Sequence, residues 1–186
     1  PLVADGDLIT AQALGGTGAL KIGADFLKQL LPNAKVLISD PSWENHRALF
    51  ERAGFAVDTY PYYDAATHGL NFDGMLACLN AQPPETIVVL HACCHNPTGV
   101  DPSFAQWQQI AKVVKEKQLV PFMDIAYQGF GDGLEEDASV VRMFAEQGLN
   151  ILISSSFSKS FSLYGERVGA LTMVSASKEE SGRVLS

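Results

Sequence analysis

Residues 151–171 read ILISSSFSKSFSLYGERVGAL. The apolar run Ile151 to Ile153 is predicted to be a buried strand, and Val168 to Val174 a second one that can run antiparallel to its neighbour. Between them, Ser154 to Leu171 crowds hydroxyls around one lysine, Lys159, with Arg167 eight positions on. A surface lysine usually sits among other charges on a helix face. Lys159 is instead flanked by Phe157, Ser158, Ser160 and Phe161, and no acid lies nearer than Glu166. Low polarity around an ammonium favours the neutral amine, which is a nucleophile and a Schiff-base former. A loop lysine with a solvated tip accounts for the same residues, so the segment by itself leaves both readings open.

Outward from this segment the chain repeats one theme, a strand followed by a polar turn and a helix. Leu119 to Met123 is predicted as a strand ending in Asp124, with Tyr127 shortly after it, and Thr86 to His91 as another, with Asn96-Pro97-Thr98-Gly99 forcing a turn beyond it. Lys35 to Ser39 leads through Asp40-Pro41-Ser42, expected to cap a helix from about Trp43 to Arg52. Leu8 to Leu14 leads through Gly15-Gly16-Thr17-Gly18 into a helix with Leu20, Ala24, Leu27, Leu30 and Leu31 on its buried side. Phe55 to Tyr60 adds a strand, and Asp73 to Leu79, Phe104 to Lys117 and Ala138 to Gln147 add helices, whereas Gly131 to Asp137 reads as a flexible, solvated acidic loop. Such alternation predicts an α/β fold, a mainly parallel sheet with helices on both faces. Gly16, Trp43, Asn96, Asp124 and Lys159 then all fall at strand exits, the edge where open α/β sheets bind ligands.

The glycines before the first helix suit an anion, because backbone N–H groups at a helix N-terminus point outward and the Thr17 hydroxyl adds a donor. A tight turn explains them equally well. Neither nucleotide fingerprint is complete: Lys21 stands where a dinucleotide motif wants glycine, and no Lys-Ser/Thr follows for a phosphate loop. Trp43 suits stacking on a planar ring or plain core packing. Asp124, directly after a buried strand, needs either a loop N–H or a cationic ligand group as partner. His91-Ala-Cys93-Cys94-His95 lacks the usual zinc spacing, and strand alternation should put Cys93 and Cys94 on opposite faces, so no metal site is expected.

Composition narrows the function classes. The chain of 186 residues carries a formal charge of -8, which disfavours nucleic acid and anionic membranes as partners. No apolar run approaches the roughly 18 residues of a membrane span, and no signal-peptide pattern opens the chain, so a cytoplasmic location is expected. Cys78, Cys93 and Cys94 are expected to be reduced thiols.

The segment SxSFSKxFxLYGERVGAL, together with LGGTGAL, PSWENH, HACCHNPTG and DIAYQGFGDGLEEDA, resembles the motifs of class I aminotransferases. These are fold type I pyridoxal-phosphate enzymes, and the likeness is greatest to the aspartate and aromatic amino acid group. The resemblance implies catalytic roles for Lys159, Asp124 and Tyr127. Lys159 would form the Schiff base with pyridoxal 5'-phosphate and then move a proton, while Asp124 would keep the pyridine nitrogen protonated. It further implies that Tyr127 and Asn96 bond the ring's phenolic oxygen and that Trp43 stacks on the ring. Gly16, Thr17, Ser156 and Arg167 would hold the phosphate, with His46 and His91 behind the ring supporting Asp124.

The implied reaction passes an amino group from an L-amino acid, aromatic or aspartate, to a 2-oxo acid such as 2-oxoglutarate. The family's subunit is longer and homodimeric, so residues 1–186 correspond to an incomplete large domain. The N-terminal arm, the small domain and its substrate-carboxylate arginine lie outside, and the isolated piece is expected to be inactive. Two rivals stand beside this expectation: a non-catalytic pyridoxal-phosphate-binding module, and, less favoured, a nicotinamide-dependent dehydrogenase.

Overall fold

The computed structural model describes residues 5–185. In chain order the elements are β1 (Leu8–Leu14), α1 (Gly15–Leu30), β2 (Lys35–Asp40), α2 (Glu44–Arg52), β3 (Ala56–Pro61), β4 (Tyr63–Asp64), β5 (Gly69–Leu70) and α3 (Phe72–Asn80). Then follow β6 (Ile87–His91), α4 (Phe104–Glu116), β7 (Val120–Ile125), α5 (Leu134–Asp137), α6 (Ser139–Glu146), β8 (Ile151–Ser156), β9 (Val168–Val174) and α7 (Lys178–Leu185). The main sheet has the order β1-β9-β8-β7-β6-β2-β3. β2, β3, β6, β7 and β8 are parallel, and β9 runs antiparallel to both β8 and β1. The mainly parallel α/β sheet is therefore as expected, including the antiparallel last strand. No helix among the described residues is long and apolar enough to cross a membrane.

The central strands are apolar on both sides because both faces are covered, and successive residues serve opposite cores. Val36, Ile38, Ile87, Val89, Phe122 and Leu152 pack with Leu20, Ala24 and Leu27 of α1 and Phe50 of α2. Leu37, Val88, Leu90, Met123, Ile151 and Ile153 face the other way, onto Met75 and Leu79 of α3, Ile110 and Val114 of α4 and Phe144 of α6. Each strand of this kind contributes to two layers at once.

Several local expectations fail for identifiable reasons. Leu30 is 59% exposed rather than buried. At 3.6 residues per turn it sits about 80° from the axis of the Leu20, Ala24 and Leu27 stripe. Leu31 lies past the helix end and is only half-buried. The N-cap residue of α2, Trp43, makes no side-chain capping bond among the described residues, and Ser42 turns its hydroxyl to His46. The acidic stretch before α6 is solvated as expected at Asp132, Glu135 and Glu136, but not at Asp137, and it is not all loop. It winds into α5, and the buried Asp137 carboxylate accepts from the N–H groups of Gly129, Gly131 and Asp132. Those donors compensate its desolvation. The β4–β5 hairpin and α7 have no counterpart in the sequence reading, being too short or too polar for a periodicity signal.

One close approach ties the sheet to the start of α1. Gly169 pairs with Ala13 on one side and Ser156 on the other, and a Cβ built on it would stand 2.4 Å from the Gly15 carbonyl carbon. That neighbour is backbone and cannot rotate away. Gly169→Ala is expected to destabilise the fold by roughly 1–3 kcal/mol, seen as a lower denaturant midpoint at unchanged slope. A midpoint equal to the parent's would mean that the β1–α1 turn yields freely.

Candidate active site

The C-terminal ends of β1, β2, β6, β7 and β8 share one edge of the sheet, because β1 and β8 both oppose β9. Register then sets the floor of the site: His91, Asp124 and Ser154 are consecutive partners across β6, β7 and β8. Above this row lies a cavity of about 280 Å³. It is lined by Gly16, Thr17, Trp43, His91, Asn96, Asp124, Tyr127, Ser156, Lys159 and Arg167, so every site residue expected from the sequence except His46 reaches it. His46 sits directly behind, fully buried, with Nε2 2.8 Å from Asp124 Oδ2.

Asp124 is buried and has a defined partner. Since a carboxylate oxygen accepts, the shared proton sits on His46 Nε2, and His46 Nδ1 accepts from the Ser42 hydroxyl at 2.9 Å. The relay Ser42–His46–Asp124 fixes Oδ2 of a carboxylate that also lines the cavity. Trp43 holds the His46 ring edge-on, centroids 5.3 Å apart, and His91 packs on it at 4.8 Å.

A third imidazole, missed in the sequence, completes this column. His95 stacks on Tyr62 at 3.8 Å and touches the His91 ring at 4.3 Å, with Ser39 and Thr98 hydroxyls at its two nitrogens. Burial, then the His46 ring, lowers the His95 pKa to about 4, and burial followed by His46 and His95 holds His91 well below the usual imidazole range. Both are neutral at pH 7.

These lowered values have a stability consequence. An unfolded histidine titrates near 6.5, so the unfolded chain binds these protons first. The stabilising contribution is complete above about pH 6.5 and is lost as pH falls towards 4. His95→Gln is expected to flatten the plot of denaturant midpoint against pH across that window. An unchanged slope would assign it to carboxylates.

The opposite wall is cationic. α1 starts at Gly15 with no side chain capping it among the described residues, and its first N–H bonds the Arg167 carbonyl at 2.9 Å. A Cβ on Gly15 would lie 2.4 Å from Arg167 Nη2, so the guanidinium rests on the helix start, and the φ of 68° there favours glycine. Arg167 Nη1 donates to the Ser158 hydroxyl and the Tyr164 carbonyl, and Ser154 Oγ donates to the Gly16 carbonyl. Helix N-terminus, arginine and the Thr17, Ser156 and Ser158 hydroxyls form a cup suited to a dianion. Ser158 and Tyr164 are absent from the set expected from the sequence; Ser158 is the stronger omission, since its place two residues after Ser156 on the same turn is a visible signal. Lys159 Nζ lies 4.9 Å from the centroid of the Tyr127 ring, and both residues line the cavity.

One geometric expectation is overturned. Cys93 and Cys94 do not diverge to opposite faces, because β6 stops at His91 and Cys94 takes a φ of 50°, which ends the alternation. Their sulfurs converge with Asp137 instead. Cys78, Cys93 and Cys94 are free thiols, as expected.

The family profile of aminotransferase class I and II matches residues 7–186. Over its whole length the chain is 67% identical to an aspartate aminotransferase of Pseudomonas aeruginosa, of which it covers 46%, and 54% identical to an aromatic-amino-acid aminotransferase of Escherichia coli, of which it covers 47%. The chain thus spans about half the length of the curated relatives it matches. The crystal structure of an aromatic-amino-acid aminotransferase from Burkholderia pseudomallei, covalently bound to pyridoxal phosphate, superposes on all of the chain and 46% of its own, with a TM-score of 0.99 and 70% identity. Sequence and backbone agree over nearly all of its residues, and the chain belongs to the aminotransferase class I and II family.

Proposed function

We propose that this chain is the cofactor-binding large-domain portion of a transaminase that uses pyridoxal 5'-phosphate to pass an amino group from an L-amino acid to a 2-oxo acid. The observation that carries the reading is the meeting of an amine, a buried carboxylate and an anion cup in one cavity: Lys159, Asp124 and the Gly16–Thr17–Ser156–Arg167 set. These donors match the cofactor's three kinds of group. A phosphate dianion suits the cup, an aldehyde suits the Lys159 amine, and a pyridinium nitrogen suits Asp124, whose carboxylate lines the cavity. Trp43 offers an indole face to the ring, and Asn96 and Tyr127 offer donors to its phenolic oxygen.

When bound, pyridoxal phosphate supplies an electron-withdrawing ring that stabilises negative charge at the substrate's Cα. The chain's own residues then have distinct tasks. Asp124, kept in place by His46, maintains positive charge at the ring nitrogen. Lys159 attaches the cofactor and, once released by the substrate amine, takes the proton from Cα. Arg167 and the α1 N-terminus anchor the phosphate by charge-assisted bonds, so the ring cannot drift while the proton moves.

The relatives' names support either an aspartate or an aromatic amino acid as donor, and the acceptor in this reading is a 2-oxo acid such as 2-oxoglutarate. A homodimer fits the reading, since Tyr164, which lines the cavity, and Phe161 on the same segment are 59% and 66% exposed. The test is to titrate the protein with pyridoxal phosphate, follow its visible absorbance, reduce with borohydride and map the labelled peptide. Label on Lys159 alone is expected. Label spread over exposed lysines such as Lys112 would sink the assignment.

A further inference from the structure

Beyond the cofactor cavity, which both Cys93 and Cys94 line, lies a second cavity of about 240 Å³ that shares Cys93 with it and is lined further by Asp101, Asp132, Glu136 and Asp137. The turn that carries the cysteines is held rigidly, with the N–H groups of Cys94 and His95 donating to the two Asp101 carboxylate oxygens at 2.6 and 2.8 Å. Cys93 Sγ, Cys94 Sγ and an Asp137 carboxylate oxygen all lie within 4.8 Å of one another. Asp137 is itself oriented, since Gly129 and Gly131 N–H groups bond Oδ2 and Asp132 N–H bonds Oδ1. A carboxylate offers about four lone-pair directions, and the Gly133 N–H also acts on Asp137, so a cation would share one of its oxygens with these backbone donors.

We infer that Cys93, Cys94 and Asp137 form a binding site for a thiophilic divalent cation, zinc or cadmium, entered through the acidic cavity. Two sulfurs and one carboxylate oxygen are a soft-metal donor set, and a fourth, open position would be filled by water. Tetrahedral zinc with bonds of about 2.3 Å to sulfur holds two sulfurs roughly 3.8 Å apart, within reach of the observed grouping by small side-chain rotations. As the two metal–sulfur bonds form, two thiol protons leave to solvent, and the site carries one net negative charge. Burial pushes both thiols up, Cys93 the more strongly, so the protein alone keeps them protonated. Magnesium and calcium are excluded by the sulfurs. The His46–His91–Asp124 group is also compact, but His46 and Asp124 are committed to the relay behind the cofactor cavity, and only His91 Nδ1 lacks a hydrogen-bond partner among the described residues.

The probe is cadmium chloride, titrated into the protein with excess magnesium present and read by the ultraviolet sulfur-to-cadmium charge-transfer band. The parent and Cys78→Ser are expected to bind one cadmium per chain with two protons released. Cys93→Ser and Cys94→Ser should each lose at least about tenfold in affinity and much of the band. Asp137→Asn should keep the band and bind more weakly. Circular dichroism checks folding, and because Asp137→Asn also perturbs its loop, the two cysteine variants are the decisive ones. An unchanged band and affinity in either of them would overturn the site, as would binding that disappears in His91→Gln while the cysteines are intact.

Discussion

Lys159→Ala is expected to abolish covalent retention of pyridoxal phosphate after borohydride reduction and to lower single-turnover transamination, in the intact protein that contains this chain, by at least about 10⁴-fold. Removal of a positioned general base alone accounts for roughly 10²–10⁴, and the same substitution removes the attaching nucleophile. No neighbour replaces it. Arg167 anchors by charge and offers no nucleophilic amine, while the Tyr127 ring lies beside Lys159 with its centroid 4.9 Å away. Lys159→Arg separates charge from nucleophilicity: it keeps a cation beside that ring, yet it should be as inactive as Lys159→Ala. Non-covalent cofactor affinity should survive in both variants, because the cup of Gly16, Ser156 and Arg167 is untouched. A Lys159→Ala variant with a rate near the parent's would remove this residue from the chemistry.

Asp124→Ala is expected to lower both stability and rate. His46 is fully buried and would lose the only partner of its Nε2 among the described residues, a cost of about 1–3 kcal/mol. The rate should fall by orders of magnitude, since a ring nitrogen without an anionic partner makes a poor electron sink. Asp124→Asn distinguishes the two effects. Its amide oxygen can still accept from His46, so stability should recover while the rate stays low. Asp124→Glu keeps the charge and should retain part of the rate. Recovery of activity in Asp124→Asn would show that the carboxylate serves only to hold His46.

The fold was legible because parallel strands covered on both faces produce continuous apolar runs, as at 87–90 and 151–153, and glycine or proline marks each exit. The site was legible for a related reason: chemistry-bearing residues placed directly after such strands must collect at one edge. Lys159, Asp124, Asn96 and Gly16 could be brought together without coordinates. Misreadings gathered where the chain leaves regular geometry. A positive φ at Cys94 defeated strand alternation, and three backbone donors drew Asp137 inward from what looked like a solvated acidic loop.

His95 and Ser158 show the other limit. The ring partner of His95, Tyr62, is distant in the chain and no local period points to it, whereas Ser158 carried a visible signal in its spacing from Ser156 but its bond to Arg167 is set by the fold of the turn. The order of apolar runs and breakers determined by itself that the protein is an α/β sheet with its chemistry at the strand exits, because burial periodicity and turn stereochemistry are local properties. Only the tertiary structure decided which polar groups pair, Ser42 with His46 with Asp124, the three imidazoles in one column, and two cysteines with one aspartate. Those pairings depend on distances of a few ångströms between segments far apart in the chain, set by strand register and by packing of α1 and α2 on the sheet.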